Sequence, residues 1–402
     1  MKKRMLAIFV LLVLLAGAIL PAVRAAELDL PAPSYVLMER STGEVLLEHN
    51  AHERLRPASV TKVMTLLLIM EALDDGRIGW DDMVQTSAAA AAKGGSQIYL
   101  EENEQLPLEE MLKSIVVSSA NDCACAMAEH IAGSEAAFVE MMNARAEQLG
   151  MTDTHFVNCT GLDDEPEAAE HLTTAYDIAL MSRELLGHEA IKKYTTIWMD
   201  TVRDGQFGLS NTNKLVRFYD GTTGLKTGYT SAAGHCLSAS AERNGMELIA
   251  VVLHCASSTD RFESAKALLN YGFSNYALVT PEPGELPAVP VTLGTAAEIT
   301  PVLADETPIL IDKALAAGVE TNVRVDGSVT APVEAQSVYV LAGGAVSTGE
   351  NGTTAGEGMQ DGSVQLILPE KAAERTWPVY AALALSLLLG FTYGCIRYRK
   401  LR

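Results

Sequence analysis

The chain has 402 residues, 48% of them hydrophobic and 20% charged, and its formal net charge is −21. At roughly 100–200 residues per domain this composition supports two or three domains with large cores, and it excludes a chain that is mainly disordered. So acidic a molecule repels phosphate backbones, which argues against nucleic acid as a partner.

Residues 1–25 open with Lys2, Lys3 and Arg4, continue as an apolar run over 5–20, and close on Pro21 and small residues, with Val23 and Ala25 at the −3 and −1 positions of a cleavage site. This is the layout of a secretory signal peptide. Two apolar-rich runs over 35–48 flank Ser41-Thr42-Gly43 and predict a hairpin. Apolar residues at helical spacing predict a helix that starts near Ser59 and ends at Asp74-Asp75-Gly76. Further helices are predicted over 108–117, 120–131, 134–149 and 174–185, with Gly150 as a stop. Two β-rich runs, 234–243 and 246–254, meet at Asn244-Gly245, the strongest short hairpin signal. A last helix is expected over 264–271. An antiparallel sheet built from both ends of 26–278, with helices packed on it, satisfies this order and makes the class α+β.

The stretch TPEPGELPAVP after Val279 reads as a linker. Short β-like runs follow over 289–293, 308–311, 322–325, 337–341 and 364–368, with a Gly-, Thr- and Glu-rich loop over 349–362, so 279–370 is expected to be a small β-rich domain. The 20 residues 377–396 carry no charge, which is the length of one bilayer crossing. Arg397, Arg399, Lys400 and Arg402 follow directly, so the tail 397–402 is expected in the cytoplasm and all that precedes the span outside.

Six cysteines bring no zinc-site spacing, and no metal or cofactor is expected. Cys123 and Cys125 stand two apart on a helix and point in different directions. Cys236 and Cys255 fall on neighbouring predicted strands at a distance the sequence does not set; Cys159 is unassigned and Cys395 lies in the span.

Three short motifs carry chemistry. Ser59-Val60-Thr61-Lys62 is S-x-x-K at a helix start, Ser119-Ala120-Asn121 is S-x-N where two helices meet, and Lys226-Thr227-Gly228 precedes the late hairpin. Positions i and i+3 share a helix face, which sets the Lys62 amine beside the Ser59 hydroxyl. A serine is a weak nucleophile until a base takes its proton, and a lysine serves when burial and cationic neighbours such as Lys226 lower its pKa. Ser119 offers a proton relay, Asn121 a contact for a substrate amide carbonyl, and Thr227 a hydroxyl. Gly228 leaves room for a substrate backbone along the strand edge, and the backbone N–H groups of Ser59 and Tyr229 can form an oxyanion hole. Each motif alone is weak; the ordered trio is the signature of penicillin-binding proteins and class A β-lactamases.

With these blocks the chain resembles the low-molecular-mass penicillin-binding proteins of the D-alanyl-D-alanine carboxypeptidase family, the S11 serine peptidases. The likeness extends to NAHERLRPASVTKVMT, VVSSANDCACAMAEHIAG, HLTTAYDIALMSRELL and TGLKTGYTSAAGHCLSASAERNG, and covers about 32–277. It implies a penicillin-binding-protein/β-lactamase-like transpeptidase fold, with Ser59 as acylated nucleophile and Lys62 as its base. Ser119, Asn121 and Lys226 would complete the proton network, and Thr227 and Arg261, the latter just before a helix, would bind the substrate's terminal carboxylate. The implied substrate is a peptidoglycan stem peptide ending in D-Ala-D-Ala, and β-lactams would be covalent inhibitors. At 158–162 NCTGL replaces the N-P-H-G-L of some members, so no histidine role carries over there. The alternatives are a serine β-lactamase, for which the E-x-x-L-N block is lacking at 165–173, and a non-catalytic cell-wall-binding scaffold, against which the intact trio speaks.

Overall fold

In a computed structural model of the chain, residues 28–164 and 166–279 are described, together with short stretches between 289 and 367. The expected signal peptide, membrane span, basic tail, Cys395 and loop 349–362 lie outside the described residues. No helix among the described residues is long and apolar enough to cross a membrane. The chain forms two compact units, Met1–Phe273 and Ser274–Arg402.

The first unit is built on a five-stranded antiparallel sheet that joins both of its ends. Its strands are β1 (Ser34–Glu39), β2 (Val45–His49), β3 (Thr222–Thr230), β4 (Gly234–Arg243) and β5 (Met246–Cys255), in the spatial order β2-β1-β5-β4-β3. The turn from β4 to β5 has Asn244 at φ 53° and Gly245 at φ 77°. Two left-handed central residues are what a two-residue hairpin turn of matching twist requires, and Asn-Gly supplies them.

Side chains alternate across a strand. Val36 and Met38, with Ile249, Val251 and Leu253, join the main hydrophobic core. Leu37 and Leu248 point the other way, where a Cβ on Gly272 of the last helix would lie 3.1 and 2.5 Å from them. Helices thus cover both faces, which is why β1 and β5 read as nearly unbroken apolar runs.

The central helix α1 (Lys62–Asp74) is preceded by a 3-10 turn, Ala58–Thr61. Every residue from Lys62 to Met70 is buried, so the helix is enclosed on all sides, as its all-round apolar sequence demands. The helices α2 (Leu108–Val117), α3 (Asn121–Ala132), α4 (Glu135–Gln148) and α5 (Ala175–Leu185) fall within one residue of expectation. Ser134 and Thr174 stand just outside their helices as caps, accepting the N–H of Ala137 and Asp177. Gly150, at φ 74°, ends α4 as expected.

Two differences matter for the site. The Lys226-Thr227-Gly228 motif, expected at a strand edge ahead of the hairpin, lies inside a nine-residue edge strand, β3, for which no bounds were predicted. The last helix, α6 (Ser258–Asn275), begins six residues earlier than expected, which moves Arg261 from the approach to a helix into its first turn. Its start is a capping pair: Ser257 Oγ accepts the Asp260 N–H and donates to the Asp260 carboxylate.

In the second unit the described elements are strands. Tyr276–Val279 pairs with Ile309–Asp312, so this unit begins a few residues ahead of the proline-rich stretch. Val289–Thr292, Val338–Leu341 and Val364–Ile367 fall on expected β-like runs, whereas residues 322–325 lie outside the described ones.

Candidate active site

Of the residues from Pro57 to Met70, all are buried except Ser59. In a 3-10 turn side chains three apart eclipse, and the Lys62 Nζ donates to Ser59 Oγ at 2.9 Å. The turn is tight, with Ala58 at φ 47°, a left-handed angle uncommon outside glycine. Two glycines let other chain segments close on it. A Cβ on Gly161 would lie 1.9 Å from the Ala58 carbonyl oxygen, and one on Gly228 would lie 2.6 Å from the Pro57 oxygen and 3.0 Å from the Ser59 nitrogen. Gly228 thereby has a packing reason, the close approach of the Ser59 turn, in addition to the expected room for a substrate backbone along the strand edge.

Lys62 makes a second bond, to the Thr160 carbonyl at 2.9 Å. The segment that aims this carbonyl is NCTGL. Asn158 Oδ1 accepts the N–H groups of Thr160 and Gly161, its Nδ2 donates to the Leu162 carbonyl, and Thr65 Oγ1 donates to the Cys159 carbonyl. Sequence reading found no role here because the contact is made by the backbone, which any side chain can carry. Burial lowers the Lys62 pKa to about 7, with Cys159 and Asp122 opposing weakly.

Lys226, on β3, is also buried and donates to the Thr227 carbonyl at 3.1 Å. Its pKa is pushed well down, first by burial and then by the positive charges of Lys62 and Arg261. Thr227 Oγ1 donates to Thr212 Oγ1 at 2.7 Å, and the Thr212 N–H donates to the Val117 carbonyl, so β3 is tied to the end of α2. Thr212 has no motif to announce it.

Ser119 sits between α2 and α3 at φ 64°, with its buried Oγ unpartnered. Asn121 donates its Nδ2 to the Gly94 carbonyl at 2.7 Å and leaves a buried Oδ1 unpartnered. The amide thus keeps an open acceptor and, on Nδ2, a second N–H, so it can meet either half of a substrate amide, the expected carbonyl included. Asp122 is buried beside it and accepts the N–H groups of Ile98 and Leu100, which holds the neighbouring loop against α3.

Arg261 donates one nitrogen to the carbonyls of Gly228 and Cys236, at 3.0 and 3.3 Å, and leaves its Nε unpartnered. It therefore positions β3 as well as adding charge. Tyr229 is exposed and its ring stacks on His235 at 4.3 Å. Buried polar atoms are normally paired; Ser119 Oγ, Asn121 Oδ1 and Arg261 Nε are left open, and neither the two lysines nor Arg261 forms an ion pair among the described residues. No cluster of metal-ligating residues is found among the described residues, and all five described cysteines are free thiols, including Cys236 and Cys255 on adjacent strands.

A buried lysine on a helix-start serine, facing S-x-N and a K-T-G edge strand on an α+β sheet, defines a site of the penicillin-binding-protein class. Residues 21–257 match the family described as D-alanyl-D-alanine carboxypeptidase, peptidase S11, and this chain belongs to that family. It is 49% identical over 256 residues to the D-alanyl-D-alanine carboxypeptidase DacF of Bacillus subtilis, which covers 63% of this chain and 65% of that relative. It is 35% identical over 273 residues to DacC of Escherichia coli, covering 65% and 67% of the two. The chain thus spans about two thirds of the length of the curated relatives it matches. Penicillin binding protein 5 from Haemophilus influenzae superposes with a TM-score of 0.74 at 28% identity, over 87% of this chain and 99% of that one. Penicillin-Binding Protein D2 from Listeria monocytogenes, in its ampicillin-bound form, superposes at 0.56 with 30% identity, over 61% of this chain and 99% of that one.

Proposed function

We propose that the protein is a serine-type D-Ala-D-Ala carboxypeptidase that removes the terminal D-alanine from peptidoglycan stem peptides. The observation that carries this reading is the 2.9 Å bond that Nζ of the buried Lys62 donates to Ser59 Oγ; burial lowers the pKa of this lysine to about 7. A lysine so lowered is neutral in a large fraction at neutral pH and takes the Ser59 proton as the hydroxyl attacks the penultimate D-Ala carbonyl. The N–H groups of Ser59 and Tyr229 hold the oxyanion. Asn121 holds an amide of the peptide, and Thr227, Lys226 and the charge of Arg261 face its terminal carboxylate. Ser119 relays the proton to the departing D-Ala nitrogen, and water entering the vacated space then hydrolyses the acyl-enzyme.

β-Lactams acylate the same serine, but their leaving nitrogen stays tethered and blocks that space. The E-x-x-L-N block that brings the deacylating base of a class A β-lactamase is lacking in the sequence at 165–173. The protein is exported by residues 1–25, anchored by 377–396 and active outside the membrane, with 279–370 as a small β-rich domain; the sequence patterns of these segments support this part. The test runs D-alanine release from a D-Ala-D-Ala peptide beside the decay of a penicilloyl adduct. Fast release with a long-lived adduct is expected; rapid penicillin turnover without D-alanine release would favour a β-lactamase.

A further inference from the structure

We infer that His171 is a positioning residue for the nucleophile, acting through Thr61; this rests on the reading of Ser59 and Lys62 as nucleophile and base. Thr61 lies between those two residues, at the N-cap of α1, where a threonine hydroxyl ordinarily accepts a helix N–H. It makes no such bond. Its Oγ1 stands 2.8 Å from the Nε2 of His171, a residue 110 positions away.

The chemistry of the ring fixes the direction of that bond. The Val157 N–H donates to His171 Nδ1 at 3.2 Å, so Nδ1 holds the lone pair and, in a neutral imidazole, Nε2 holds the proton. Nε2 therefore donates to Thr61. Burial, and secondarily the nearby His155, lower the His171 pKa to about 3, so the ring keeps this tautomer over the working range. Its mount is stiff. Phe156 meets the ring edge-on at 5.5 Å. The backbone that follows it is pinned by the bridge of Leu172 to His155 and that of Thr173 to Leu55, which belongs to the segment leading into the Ser59 turn.

The turn needs such a hold. Ala58 carries a left-handed φ of 47°, and a small cavity lined by Pro57, Ala58, Gly161 and His171 borders it. With the Thr61 bond gone, the turn has space in which to relax and carry Ser59 Oγ away from Lys62. His171 touches neither substrate nor the reacting atoms, so its effect falls on the rate of acylation and not on initial binding.

The test uses the full chain, a fluorescent penicillin and two isosteres. A glutamine amide nitrogen takes the place of Nε2, and an asparagine oxygen takes the place of Nδ1. His171→Gln keeps the Thr61 bond and His171→Asn keeps the Val157 bond. Since a misplacement near 1 Å can cost about 100-fold, His171→Ala is expected to slow acylation by about 10–100-fold. The dissociation constant of the preceding non-covalent complex should change little. His171→Gln should recover most of the rate and His171→Asn should not, whatever their melting temperatures. If His171→Ala fails to fold, Thr61→Val, which leaves the histidine in place, is expected to show the same acylation defect. Equal recovery by the two isosteres, or rates that follow melting temperature alone, would overturn the inference. A wild-type protein that neither binds penicillin covalently nor releases D-alanine would instead overturn the carboxypeptidase reading.

Discussion

Lys62 decides the pH behaviour of the site. Only its neutral form accepts the Ser59 proton, and burial brings its pKa to about 7. Acylation by penicillin is therefore expected to rise as pH increases through about 7 and then level off; a rate that is flat between pH 5 and 9 would deny Lys62 the role of base. Lys62→Arg should not restore activity lost in Lys62→Ala, because a guanidinium keeps its proton throughout; stopped-flow acylation of both variants checks this. At this scale the sequence named Ser59, Lys62, Ser119, Asn121 and Lys226 through their spacing. It did not show that Asn121 donates to the Gly94 carbonyl or that the Thr160 carbonyl holds Lys62, because both depend on loops brought in from residues 94–96 and 158–162. Backbone partners leave no side-chain signature.

The elements that build the site divide by how local their signals are. The helices α2 to α5 were legible within a residue from local signals, with side-chain caps at Ser134 and Thr174 for α4 and α5. β3 was legible as a strand edge at Gly228 but without bounds, because TTGLKTGYT has little apolar alternation; its pairing along β4 and the Arg261 bond to Gly228 hold it, and tertiary contact outweighs propensity at a sheet edge. The start of α6 was legible in principle as the Ser257-to-Asp260 capping pair, but the polar run STDRFES hid it. Gly228→Ala tests the docking of β3 on the Ser59 turn, since its Cβ would sit 2.6 Å from the Pro57 oxygen. Acylation is expected to fall by about 10–100-fold as the strand is pushed back. Stopped-flow labelling that matches wild type would show that the turn yields freely.

On the scale of the whole molecule, the chemistry resides in the first unit, and the candidate anchor lies more than a hundred residues beyond the K-T-G strand. A protein ending before Trp377 is expected to be exported, soluble and as active as the full chain in a D-alanine assay. A well-folded truncation without activity would draw the C-terminal segment into the site. A reporter fused after Arg402 should read as cytoplasmic, because the basic tail follows the apolar stretch directly; an outside reading would contradict the charge argument. The account as a whole rests on Ser59 being the atom that is acylated. The most direct measurement is peptide mass spectrometry of the penicillin-treated protein beside its Ser59→Ala variant. The expected result is one penicilloyl group on the peptide that contains Ser59 and none on the variant, whereas an adduct that persists in Ser59→Ala, or that maps to Ser118 or Ser119, would contradict it.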